Sequence, residues 1–145
     1  MPDFIPFDLI KISDGEQSVT LRVIEGMHFS GSDDYDALHA EVLIGTDFLN
    51  GRVEAYLNSH DLDAWGEALD ALATGRQVTW LESGRSPRLT VSPQERTESG
   101  CTEVSVYDVV GSQVFVTVPV ATEADWIARH RELLAEAGNR FPLTR

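Results

Sequence analysis

The chain has 145 residues, 42% of them hydrophobic, which is an ordinary size for one domain and enough to bury a core. Its 24 acidic side chains against 11 basic ones give a formal charge of -13, spread from Asp3 to Glu136. Such a field repels phosphate backbones and anionic lipid headgroups, so the expectation is no nucleic acid and no membrane among the partners, and a basic protein instead.

Two half-buried strands open the pattern: LIKI (Leu9 to Ile12), then QSVTLRVIE, where Val19, Leu21 and Val23 alternate with Thr20 and Arg22. Asp14-Gly15 between them makes residues 7–24 a hairpin. Gly26 to Asp36 reads as a loop. Leu38, Ala40, Val42 and Ile44 alternate again, and after GTDFLNG a strand follows with Val53, Ala55 and Leu57 on one side.

Leu62, Trp65, Leu69 and Leu72 then form an apolar stripe that predicts a helix over 59–74. Ser59 is its expected N-cap, Asp61 and Asp63 lie in the first turn, and Gly75 stops it. Strand patterns resume with QVTWLE and, after an SGRSP turn, PRLTV. TEVSVYDVV and SQVFVTVPV form a hairpin across Val110-Gly111, with Val114, Val116 and Val118 on one face. A second helix is predicted over 122–138. Thr122 and Asp125 make its capping box, Trp126, Ile127, His130, Leu133, Leu134 and Ala137 its apolar side, and Gly138 its end. Phe141-Pro142 can fold back on the core. About eight strands in hairpin order and two amphipathic helices, without strand-helix alternation or an internal repeat, make this a single α+β domain over 1–145, mainly antiparallel.

The chemical-looking clusters have structural explanations. In SHDLDAWGEALDAL, Asp61, Asp63 and Gly66 match the start of a calcium loop, but Trp65 and Leu72 occupy positions that need oxygen ligands. Adjacent His60 and Asp61 diverge on a helix, so a capped helix start is the better reading. Asp33 to Asp36 (DDYD) reads as a solvated acidic loop. Gly84 to Arg88 (GRSPR) lacks the final glycine of a nucleophile elbow and leads into a strand rather than a helix. Cys101, the only cysteine, excludes an internal disulfide or a thiolate cage and fits the reducing cytoplasm. The first residues, MPDFIPFDLIKI, lack the charge and apolar run of a signal peptide. His130 reads as a satisfied core histidine, and Trp65 and Trp126 as core side chains. No catalytic, metal or cofactor site is expected. What remains is Trp80, Glu82 and Arg85, whose aromatic and arginine character is that of a binding hot spot.

LIKISDGEQSVTLRV, DALHAEVLIGTDFLNGRVEAYL, DLDAWGEALDALATGRQVTWLESGRSP and VFVTVPVATEADWIARHRELL together resemble a family of small actinobacterial proteins of unknown function. That resemblance implies a bacterial cytosolic single domain and carries no activity. The order of strands and helices and the acidity are also similar in layout to immunity proteins, particularly those that neutralise a cell-wall-associated toxin. The expected function is thus a non-enzymatic protein-binding module, immunity-like, with a basic partner. The alternative is a small hydrolase or ligand-binding enzyme joining Glu82 and Arg85 to a histidine such as His39. A third reading is a homodimer formed through an exposed strand edge.

Overall fold

The computed structural model describes residues 4–82 and 86–145. Strands β1 (Phe4–Ser13), β2 (Ser18–Met27), β3 (Ala37–Gly45) and β4 (Asn50–Leu57) form one antiparallel sheet in that order, and helix α1 (Ser59–Ala73) follows. A second antiparallel sheet is built in the same way from β5 (Val78–Trp80), β6 (Arg88–Ser92), β7 (Thr102–Tyr107) and β8 (Phe115–Val120), and helix α2 (Trp126–Arg140) closes the chain. The α+β architecture expected from the sequence is thus observed, with eight strands among the described residues. A four-strand meander followed by a helix occurs twice, although the sequence shows no repeat.

The two helices are exchanged between the halves. Helix α1 follows the first sheet but packs against β5, the first strand of the second sheet; α2 follows the second sheet and packs against β1. The helices also pack on each other. One core results, because the apolar rows of both sheets and the inward stripes of both helices join in a single cluster. Strand alternation supplies those rows: Ile10, Leu21, Val42 and Val53 lie side by side in the first sheet, and Leu89, Val106 and Val116 beside Trp80 in the second. Trp65, with its side chain fully buried, stacks at a tilt on Trp80 with ring centroids 5.1 Å apart.

The helix ends differ from the sequence reading in instructive ways. Asn58, not Ser59, caps α1, in a reciprocal box: Asn58 Oδ1 accepts from the Asp61 amide at 3.0 Å and Asp61 Oδ2 from the Asn58 amide at 2.9 Å. Gly75 ends this helix as expected, at φ +83°, where only glycine is unstrained. Helix α2 starts later, at Trp126, because Thr122 turns its hydroxyl to Thr102 at 2.8 Å instead of capping. It also runs through Gly138 to Arg140. Strand β5 is only three residues long. Leu81, buried at φ +65°, turns the chain away after Trp80. Val114 precedes β8 and is exposed, so the inward face of that strand is Val116, Val118 and Val120.

His130 shows how α2 seals β1. Its Nε2 accepts the Lys11 backbone N–H at 3.0 Å, so the ring proton belongs on Nδ1, which donates to the Trp126 carbonyl at 2.6 Å. One edge N–H of β1 is thereby satisfied by a side chain. Burial lowers the His130 pKa, since the imidazolium is poorly solvated and would point a second proton at the Lys11 amide. The unfolded chain therefore binds this proton more readily. The stabilisation is complete above the ordinary histidine value of 6.5 and is lost as pH falls below it. Urea unfolding from pH 8 to pH 5 is expected to show this loss in the wild type, and His130→Gln to lack that component; identical pH slopes in the two proteins would refute the assignment.

Candidate binding corner on the second sheet

The outward face of the second sheet is built from registered rows. Thr79, Thr90, Ser105 and Thr117 form one, with hydroxyl contacts of 3.2 Å between Thr79 and Thr90 and 2.8 Å between Ser105 and Thr117. In the next outward row Arg88 lies opposite Tyr107, and Tyr107 opposite Phe115. Strand alternation places all of these away from the core. The face carries few charges.

A groove of about 460 Å³ is lined by Thr79, Glu82, Arg88, Thr90, Tyr107 and Phe115. Tyr107 and Phe115 tilt together at 6.0 Å. Among the described residues the buried Nε of Arg88 has no hydrogen-bond partner and the guanidinium makes no ion pair. Arg22, Arg52, Arg131, Arg140 and Arg145 each face a carboxylate, whereas Arg76, Arg96 and Arg129 share with Arg88 the lack of an ion pair among the described residues but do not line this groove. In a chain where acids outnumber bases two to one, an unpaired arginine in a groove leaves a donor set open for an incoming carboxylate.

The β7–β8 turn extends this corner with apolar side chains. Val110, Val114 and Phe115 are 66%, 55% and 62% exposed. The turn is held from within: Asp108 accepts from the Gly111 amide at 3.1 Å, and from the Ser112 amide and hydroxyl at 2.8 Å each. The Ser112 amide, first among these bonds, keeps the Asp108 carboxyl below its usual range. The turn thus presents its apolar side chains on a fixed backbone.

Of the three side chains singled out in the sequence, Trp80 and Glu82 are among the described residues. Trp80 is 2% exposed and points into the core, its indole N–H donating to the Asp61 carbonyl at 2.8 Å. Glu82 is exposed on the rim, bordering the Arg88 groove and a second one of about 500 Å³ between α1 and β5. Arg85 lies outside the described residues. The aromatic-plus-arginine composition is present nearby, but its members are Arg88, Tyr107 and Phe115. They are distant in sequence, and only the registers of two hairpins bring them together. The alternation of Val78 and Trp80 about Thr79 was the available signal that Trp80 faces inward.

His39 is not brought to Glu82. It lies on the outward face of the first sheet, stacked on Tyr56 at 5.1 Å, with Glu25 and Glu54 each 3.5 Å from one of its ring nitrogens. The other candidate carboxylates serve local structure. Asp61 closes the α1 capping box, and Asp63 pairs with Arg145 at 2.6 Å. Asp36, in the acidic loop, is also held locally: it accepts from the Phe29 and Ser30 amides at 2.7 and 2.8 Å, the Ser30 hydroxyl at 2.7 Å and Thr144 at 3.0 Å. These bonds, led by the Phe29 amide, hold its carboxyl far below the usual range. Among the described residues no three histidine, cysteine or acidic side chains converge as metal ligands. No described helix is long and apolar enough to cross a membrane.

A family model described as a family of unknown function, DUF5959, matches residues 7–142. The chain belongs to this family. The match takes in all of β2 to β8 and both helices, so the exchanged-helix arrangement and the Arg88 corner both lie within the DUF5959 region. No curated protein and no solved structure matches the chain.

Proposed function

We propose that this DUF5959 chain is a non-enzymatic protein-binding module that docks through the Arg88, Tyr107 and Phe115 corner and the β7–β8 turn. The observation that carries the reading is the juxtaposition of an unpaired guanidinium with exposed apolar side chains on a fixed turn. Interfaces combine such a low-charge centre, rich in aromatic and arginine side chains, with a polar rim. The overall charge of -13 complements this by steering a basic partner from a distance, while the corner makes the close contacts. An acidic module that covers a basic protein is an immunity-like antagonist, and the reducing cytoplasm is the compartment that its single thiol fits.

The test is capture of a partner by the immobilised full chain from cells that encode it, at low and moderate salt. Capture is expected to weaken with salt and to be lost in Phe115→Asp. Arg88→Gln is expected to weaken it about tenfold or more, the scale of a lost hydrogen bond to a charged group. Circular dichroism checks that both variants are folded. Undiminished capture by Phe115→Asp, capture equally strong at every salt, or no partner at all would overturn the reading.

A further inference from the structure

The two sheets have four edge strands, and they are treated differently. Helix α2 packs against β1, β5 is only three residues long and packs against α1, and β8 is interrupted by Pro119 and tied at its end by Gln17, which donates to the Pro119 carbonyl, and by Asp14, which accepts the Ala121 amide at 3.0 Å. Strand β4 is eight residues long and contains no proline, and its backbone makes no hydrogen bond outside its own sheet among the described residues. An uncovered edge of this length is a template for another strand.

The side chains on β4 say which strand fits. Arg52 and Glu54 have 76% and 68% of their side chains exposed and share the outward face with Tyr56. They flank Val53 symmetrically and have opposite signs. In antiparallel pairing of two β4 strands about Val53, Arg52 of each copy lies opposite Glu54 of the other, twice by symmetry. Edge charges that protect a monomer would repel their own copies; these attract. The same pairing sets Tyr56 opposite Asn50 and brings Phe48, 96% exposed in the β3–β4 turn, toward Tyr56 of the other copy. The present partners of the two charges are weak, at 3.9 Å from Arg52 to Glu41 and 3.5 Å from Glu54 to His39.

We infer that the chain forms a two-fold homodimer through β4, joining two four-stranded sheets into one of eight strands. This surface is separate from the Arg88 corner and does not depend on it. Sedimentation equilibrium of the full chain at several concentrations tests it. The wild type is expected to dimerise. Arg52→Glu and Glu54→Arg are each expected to weaken self-association about tenfold, and the double exchange R52E/E54R to restore it. Phe115→Asp serves as a control that leaves the dimer unchanged. A wild type that stays monomeric, single variants that dimerise like the wild type, or a folded double variant that remains monomeric would each overturn the inference.

Discussion

Trp65→Ala is expected to destabilise the protein by about 3–5 kcal/mol, the range for truncating a buried large aromatic, read as a lower urea midpoint. Trp65 is completely buried among residues of the common core and packs on Trp80, so the cavity would open between α1 and the second sheet. That loss is a large share of the roughly 5–15 kcal/mol by which a domain is stable. Trp65→Phe is expected to be much milder. The Trp65 indole nitrogen is buried without an acceptor among the described residues, so phenylalanine loses packing but also removes an unsatisfied donor. If Trp65→Phe proves as damaging as Trp65→Ala, the site depends on that indole N–H and the reading of its surroundings is wrong.

The second large effect is expected at Phe141. Phe141, 1% exposed, meets the edge of Phe7 at 6.0 Å and the ring of Tyr35 at 6.1 Å. Around it the chain end is bonded to the β2–β3 loop: Tyr35 donates its amide to the Pro142 carbonyl and accepts from the Thr144 amide, each at 2.8 Å. Tyr35 in turn fills the space over Gly26, where a Cβ would lie 2.2 Å from its ring. Phe141→Ala is therefore expected to cost about 3–5 kcal/mol and to loosen the loop at residues 28–36. Hydrogen exchange should show both the global loss and faster exchange of the Tyr35 amide. Phe141→Leu keeps most of the volume and is expected to cost less than about 2 kcal/mol. Retention of wild-type stability by Phe141→Ala would show that the chain end merely rests on the core.

Local patterns in the sequence carried much of this fold. The alternation of Val19, Leu21 and Val23, and the stripe from Leu62 to Leu72, report directly which side chains are buried, because periods of two and of about 3.6 are properties of single elements. Pairings between distant elements left no such trace. Nothing near His130 announces that its ring completes the hydrogen bonding of Lys11, 119 positions away. The doubling of the meander and helix is likewise carried by chain path rather than by repeated residues. At the candidate corner the sequence reading named Trp80, whose own strand alternation turns it inward. Arg88, Tyr107 and Phe115 become neighbours only once β6, β7 and β8 are in register, which no local window contains.

The exchange of helices also has a bearing on synthesis. In chain order α2 comes after the whole second meander, so β1 meets its covering helix only after every strand between them has been synthesised, and α1 precedes its partner strand β5. The first meander thus relies for the cover of β1 on a helix encoded beyond the whole of the second, a contact of long sequence separation of the kind that slows folding.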